Sequence, residues 1–85
     1  MKEIRYVITD EIGFHARPAG LLVKTVTGFD SNIIIKKGEK EGNAKSIIGI
    51  MALGIKHGEE VTFIIEGSDE AEAYDAVENF LKENL

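Results

Sequence analysis

The feature that most limits the fold of this chain is how its apolar residues are spaced. Within 85 residues the spacing changes several times between the alternation typical of a strand and the three-to-four-residue repeat typical of a helix. Apolar residues alternate with other residues in segments 4–8 and 61–65, and segment 31–36 is rich in β-branched residues, so all three segments are predicted strands. Apolar residues recur at helical spacing after residue 19 and again after residue 73. Turn signals separate these segments at Gly13, Gly28, Gly38, Gly54, Gly58 and Gly67.

Two shorter segments complete the predicted order β-α-β-β-α-β-α. Residues 40–43 follow a turn and form a short return strand, and Ser46 caps a short helix over residues 47–53. The last helix begins at Asp69, whose capping-box partner is predicted to be Glu72. We therefore expect one α+β domain over residues 1–85, in which three helices cover one face of a four-stranded antiparallel sheet.

Composition excludes several classes of function. The net charge is −5 and the only arginines are Arg5 and Arg17, which argues against a nucleic-acid partner. The chain has no cysteine, and its two histidines have no metal-binding spacing, so neither a disulfide nor a metal site is expected. We interpret His57 as a solvated loop residue. The charged first residues and the lack of a long apolar run predict a cytoplasmic protein without membrane insertion.

Segment 13–19, GFHARPA, places chemistry at the start of a helix. Pro18 suits a first helical turn, so His15 lies at or near the N-cap, with Arg17 beside it. Free backbone N–H groups and the helix dipole favour an anion there, and a guanidinium matches phosphate oxygens. A neutral imidazole is a nucleophile toward phosphorus. The segment thus predicts a histidine that accepts and releases a phosphoryl group; a surface histidine acting as an imperfect cap is the simpler alternative.

Apolar residues near this segment predict a docking surface. A helix as short as residues 47–53 cannot bury all of its apolar side chains, although Ile50 is expected in the core. An exposed apolar surface beside a reactive histidine is typical of protein binding, and ordinary core packing is the alternative. The residues assigned to partner binding are Phe14, Gly20, Lys24, Ile47, Ile48 and Met51.

Segment 13–19 resembles the active-site signature of the HPr family, the histidine phosphocarriers of the phosphoenolpyruvate-dependent sugar phosphotransferase system. Segment 43–51, NAKSIIGIM, is similar to that family's second signature, around a regulatory serine. The resemblance extends over essentially the whole chain. Phe14 and Gly20 depart from the family, which often has a branched aliphatic residue and a larger residue at these positions.

The resemblance implies an open-faced β-sandwich and a monomeric carrier that needs no cofactor and is not itself an enzyme. It implies phosphorylation of His15 on Nδ1 by phosphorylated Enzyme I and donation to IIA domains of sugar permeases. It also implies that Ser46 is phosphorylated by an HPr kinase/phosphorylase, with a catabolite-control transcriptional regulator as a further partner. The simpler interpretation of Ser46 is an N-cap.

Two other functions remain open from the sequence. One is a regulatory binding module that acts through phosphorylated Ser46 on a transcriptional regulator, with His15 incidental. The other is a small histidine-dependent phosphohydrolase, for which no general acid is found at a predictable spacing. Incubation with phosphoenolpyruvate and Enzyme I separates the three outcomes: stable transfer to His15, no transfer, or release of inorganic phosphate.

Overall fold

A four-stranded antiparallel sheet and three helices form the molecule, and the computed structural model describes all residues 1–85. The elements follow the predicted β-α-β-β-α-β-α order. They are β1 (Lys2–Val7), α1 (Ala16–Val26), β2 (Asn32–Lys37), β3 (Lys40–Asn43), α2 (Ile47–Met51), β4 (Glu60–Glu66) and α3 (Glu70–Asn84). The predicted fold class is confirmed.

The sheet has the strand order β1-β4-β2-β3, so β2 and β3 pair directly, whereas β4 lies between β1 and β2. Ile4 of β1 lies opposite Phe63 of β4, which in turn lies opposite Ile35 of β2. All three side chains are buried on one face. This row explains the alternation in the sequence, because successive side chains of a strand point to opposite faces.

The helices cover that face and close one hydrophobic core of 20 residues. Helix α1 packs against α2 and α3, α3 packs against β1 and β4, and α2 contacts β3. The apolar stripe of α1 buries Pro18, Ala19, Leu22 and Val26. The stripe of α3 buries Ala73, Val77, Phe80 and Leu81.

Helix α2 is shorter than predicted. It ends at Met51, and the following residues turn through shorter-range bonds, from Leu53 N–H to Ile50 O at 3.1 Å and from Gly54 N–H to Met51 O at 3.1 Å. Gly54 then adopts a φ of +59°, which a glycine accepts without steric cost. The apolar residues at 52 and 53 therefore belong to the turn and not to the helix.

The predicted capping box at α3 is wrong, although Asp69 does occupy the N-cap. Its carboxylate makes no capping bond and instead accepts hydrogen bonds from Asp30 N–H at 2.8 Å, from Ser31 N–H at 2.9 Å and from the Ser31 hydroxyl. The loop before β2 brings these three donors to Asp69. Three hydrogen bonds stabilise the carboxylate more than one capping bond from a backbone N–H of α3 would. The Ser31 hydroxyl and the backbone N–H groups lower the pKa of Asp69.

Candidate functional site

His15 stands at the N-terminus of α1 with its side chain free. Its backbone is extended at φ −86° and ψ −175°, and its carbonyl accepts the first helical bond from Ala19 N–H at 3.0 Å. The half-buried imidazole makes no capping hydrogen bond, and the first turn contains no acidic residue. The backbone N–H groups of Ala16 and Arg17 have no protein acceptor. These donors and the imidazole are therefore available to an incoming anion.

A tight turn fixes the approach to His15. The Oδ1 atom of Asp10 accepts hydrogen bonds from Ile12 N–H at 2.9 Å and Gly13 N–H at 3.2 Å. Phe14 N–H then donates to Ile55 O at 3.0 Å. Gly13 has a φ of +84°, and a Cβ atom there would lie 2.6 Å from Ile55 O. Only glycine fits this position, so Gly13 fixes the turn from which the backbone leads through His15 into α1.

His15, Arg17 and Pro18 line one open cleft with a volume of about 350 Å³. The structure thus places these three residues of segment 13–19 around the same space. The guanidinium of Arg17 is exposed and has no ion-pair partner within the chain. It remains available to a phosphoryl group on His15.

Five further residues line this cleft that the sequence did not assign to the site. They are Asp10, Ile12, Leu21, Glu83 and Asn84. Leu21 could have been found, because it lies one helical turn after Arg17 on the same face. Glu83 and Asn84 carry no such signal, since they are distant in sequence and reach the cleft only through the packing of α3.

The last turn of α3 is bound to the loop that leads to His15. The backbone carbonyl oxygen of Leu85 accepts hydrogen bonds from the Thr9 hydroxyl at 2.6 Å and from Asp10 N–H at 3.1 Å. The rings of Phe14 and Phe80 stack with their centroids 6.4 Å apart. The end of α3 therefore forms a fixed wall of the site.

The structure corrects the predicted exposure of Phe14. Its side chain is only 4% exposed and belongs to the core, stacked on Phe80 of α3. Burial between α3 and the loop removes the apolar area of the ring from water, which is more favourable than leaving the ring exposed. Stacking on a second aromatic ring adds to this stabilisation. Phe14 thus supports the site from behind and offers no surface to a partner.

The other residues assigned to partner binding lie on the neighbouring helices α1 and α2. Ile48 is 83% exposed, Ile47 and Met51 are also exposed, and Ile50 is buried as predicted. Gly20 has no atom within 4 Å of the position that a Cβ would take, so the surface of α1 is open there. Lys24 is exposed in the last turn of α1.

Ser46 caps α2, as the simpler interpretation of this residue predicts. Its backbone is extended, and its hydroxyl oxygen accepts a hydrogen bond from Gly49 N–H at 3.1 Å. The side chain is half-buried beside exposed Ile47. A change of charge at Ser46 would therefore fall at the edge of the exposed apolar residues of α2.

The rest of the surface adds no second centre of chemistry. His57 is exposed in the turn before β4, as predicted, and no three His, Asp or Glu side chains are close enough together to hold a metal ion. None of the helices has the length and apolarity needed to cross a membrane.

The Lys37 ammonium, 3.0 Å away, lowers the pKa of Glu59, and the N-terminal amine lowers the pKa of Glu70. Both carboxyls lie outside the cleft.

The cleft has the parts that phosphoryl transfer needs. A ring nitrogen of His15 can act as a nucleophile toward phosphorus, and Arg17 and the free N–H groups at the start of α1 can donate hydrogen bonds to phosphoryl oxygens. Transfer of a phosphoryl group depends mainly on positioning and on stabilisation of charge. The cleft is open, so a donor protein and later an acceptor protein can reach the same atom.

Known proteins share this fold and are similar to this chain in sequence. A family model described as the PTS HPr component phosphorylation site matches residues 2–83. The phosphocarrier protein HPr of Mycoplasma capricolum is 46% identical over 77 residues, which is 91% of this chain and 86% of the relative. That of Lysinibacillus sphaericus is 42% identical over 83 residues, which is 98% of this chain and 94% of the relative.

A solved structure of a histidine-containing phosphocarrier protein from a mycoplasma superposes with a TM-score of 0.94. It is 41% identical in sequence, and the match covers 96% of this chain and 93% of that one. Fold, sequence and the geometry of the cleft therefore agree. The chain belongs to the HPr family, the phosphocarrier proteins of the phosphotransferase system, which carry a phosphoryl group and are not themselves enzymes.

Proposed function

We propose that residues 1–85 form a single carrier domain in which His15 takes a phosphoryl group from phosphorylated Enzyme I and gives it to IIA domains of sugar permeases. The observation that supports this most is the uncapped imidazole of His15 in the cleft at the start of α1. In the first step, the bond between phosphorus and the donor atom of Enzyme I breaks, and its electron pair stays on the donor. The lone pair of the His15 ring nitrogen forms the new phosphorus–nitrogen bond.

Arg17 and Pro18 assist this step in the proposal. The guanidinium of Arg17 is exposed on the same cleft and has no competing carboxylate partner, so it is free to bind phosphoryl oxygens with two donors. Pro18 is buried in the first turn and fixes the backbone there. In the second step, a lone pair of the acceptor atom on the IIA domain forms a new bond to phosphorus. The phosphorus–nitrogen bond breaks, and its electron pair returns to His15.

Docking of both partners is assigned to the exposed surface of α1 and α2, which carries Gly20, Lys24, Ile47, Ile48 and Met51. None of these residues lines the cleft, but α2 packs against α1, the helix that starts beside His15. Apolar side chains exposed together on the surface are typical of a protein contact. The cation Lys24 suits an acidic partner surface. The proposal takes the carrier to be a monomer in the cytoplasm, as the family's role implies.

Ser46 is proposed as a regulatory phosphorylation site within that docking surface. A phosphate adds about 1.5 to 2 negative charges. At Ser46 this charge would lie next to exposed Ile47. It would weaken the binding of a partner whose contact surface is apolar and acidic, because such a surface disfavours an added negative charge. The proposed further partners are an HPr kinase/phosphorylase and a catabolite-control transcriptional regulator.

The test is incubation of the chain with phosphoenolpyruvate and Enzyme I, followed by mass spectrometry. We expect one acid-labile phosphoryl group on His15 and none on exposed His57. The variant His15→Ala should remain unlabelled, and His57→Ala, the matched control, should be labelled like the wild type. Label on His57, or label that survives in His15→Ala, would refute the assignment.

A further inference from the structure

Glu83 is a carboxylate on the wall of the cleft without any partner. It lines the same cleft as His15 and Arg17. Its side chain is exposed and makes neither a hydrogen bond nor an ion pair within the chain. Asp10, the other carboxylate of the cleft, differs in that its Oδ1 atom holds two backbone N–H groups of the turn. Glu83 therefore brings a negative charge to the site that no group of the protein neutralises.

The position of Glu83 is fixed by the residues on both sides of it. Phe80, one turn earlier, stacks on Phe14, which directly precedes His15. Asn84 donates a side-chain hydrogen bond back to Phe80 O at 3.1 Å, and the carbonyl of Leu85 accepts bonds from Thr9 and Asp10. The helix turn that carries Glu83 is thus held on the loop of the reactive histidine.

We infer that Glu83 sets how readily the phosphoryl group leaves His15. This inference rests on the proposed function of His15. The phosphoryl group carries about two negative charges, so a carboxylate in the same cleft raises the free energy of the phosphorylated chain. When the phosphorus–nitrogen bond breaks and the group passes to an acceptor, the repulsion is relieved. Glu83 therefore acts against Arg17: the guanidinium favours loading of His15, and the carboxylate favours delivery.

The size of the effect follows from charge interaction through water. A charge of about −2 and a unit charge that line the same open cleft change an equilibrium constant by about two- to fivefold at low salt. Because the cleft is open to solvent, the effect should largely disappear near 1 M salt, where the Debye length is about 3 Å. A purely structural role of Glu83 would not show this salt dependence.

The experiment measures the equilibrium constant for phosphoryl transfer between phosphorylated Enzyme I and the chain, from the fraction of each protein phosphorylated. The variant Glu83→Gln removes the charge and keeps the size of the side chain. Glu72→Gln is the matched control, because it removes the same charge from the exposed first turn of the same helix, far along α3 from the cleft. An equilibrium constant, unlike a rate, does not depend on how fast the two proteins dock.

We expect Glu83→Gln to shift the equilibrium toward the phosphorylated chain by about two- to fivefold at low salt and by less than about 1.5-fold near 1 M salt. Glu72→Gln should match the wild type in both conditions. An unchanged constant in Glu83→Gln, or an equal shift in Glu72→Gln, would overturn the inference and leave the role of His15 standing. If the wild-type chain acquires no label on His15, the proposed function itself is refuted.

Discussion

At the scale of one residue, Arg17 is the arginine whose guanidinium is available to a phosphoryl group in the cleft. It is one of two arginines in the chain, and its guanidinium lies on the cleft without a partner, whereas Arg5 lies 3.8 Å from Glu3 on β1. Charge-assisted hydrogen bonds to phosphoryl oxygens are worth about 1.5–3 kcal/mol. We expect Arg17→Ala to slow transfer from Enzyme I by about 10- to 100-fold, measured by rapid quench.

The control for this prediction is Arg5→Ala, which removes an exposed arginine away from the cleft. Its transfer rate should equal that of the wild type. Both variants should unfold at the wild-type temperature, because both side chains are exposed. A rate for Arg17→Ala within about twofold of the wild type would make Arg17 an ordinary surface residue.

For Phe14, the sequence predicted a side chain on an exposed docking surface, whereas the structure shows it buried in the core. An apolar residue beside a reactive histidine suits a docking surface as well as a core, and only the stacking on Phe80 decides between them. Because Phe14 is 4% exposed, we expect Phe14→Ala to lower the free energy of unfolding by about 3–5 kcal/mol.

Denaturant unfolding measures this loss, and Ile12→Ala is the matched control. Ile12 is two residues away on the same loop but 69% exposed, so its truncation should change stability by less than about 0.5 kcal/mol. Equal losses in the two variants would contradict the burial of Phe14.

At the scale of elements, the five-residue helix α2 carries both a stabilising cap and exposed apolar residues that we propose for docking. The Ser46 hydroxyl caps it through Gly49 N–H, and exposed Ile47 and Ile48 follow at once. Aspartate is also a good N-cap, and its negative charge suits a helix N-terminus. We expect Ser46→Asp to keep or raise the melting temperature while it weakens, without abolishing, phosphoryl transfer from Enzyme I.

Both quantities are measured on one sample, by thermal unfolding and by transfer kinetics. Ser46→Ala should lose about 1 kcal/mol of stability, because it removes the cap without adding charge. Asn79→Asp adds a negative charge to the exposed face of α3 and should leave transfer unchanged. A drop in the melting temperature of Ser46→Asp would refute the capping argument, and unchanged transfer kinetics would refute the docking argument.

At the scale of the whole molecule, three carboxylates bind distant parts of the chain together. Asp69 holds Ser31, Glu59 pairs with Lys37 at 3.0 Å, and Glu70 pairs with the N-terminal amine at 2.7 Å. The pKa values of all three groups are lowered by these contacts. Lowered pKa values mean that the unfolded chain binds protons first as the pH falls. The stabilisation is therefore complete above about pH 5 and is lost progressively below about pH 4.

Denaturant unfolding between pH 7 and pH 3 measures this loss. As the pH falls, protonation also reduces the negative net charge of −5 and the repulsion among the carboxylates, which raises the stability of the fold. Comparison with a variant separates this general effect from the contribution of one carboxylate. We expect Asp69→Asn to be less stable than the wild type at pH 7, with a smaller difference at pH 3. A difference that stays constant or grows as the pH falls would contradict the role of the Asp69 carboxylate.

Local patterns in the sequence were enough to predict the order of the elements, the buried faces of β1 and β4 and the place of His15 at a helix start. These features are local: alternation marks a strand, and Pro18 and the surrounding turn residues mark the first turn of α1. The return strand over residues 40–43 and the capping role of Ser46 could be predicted for the same reason, because each depends only on residues a few positions away.

Which distant residues share the cleft and the core became clear only from how the elements pack. Phe14 meets Phe80, Asp69 binds Ser31 in place of its own helix, and Glu83 reaches the cleft of His15. Each of these pairs joins residues far apart in the chain, and nothing in local spacing encodes them. The contact of Phe14 with Phe80 and the position of Glu83 arise because α3 packs against α1 and β1, which brings its last turn to the loop that carries His15. The bond from Ser31 to Asp69 forms at the other end of α3, where the loop before β2 meets the N-cap.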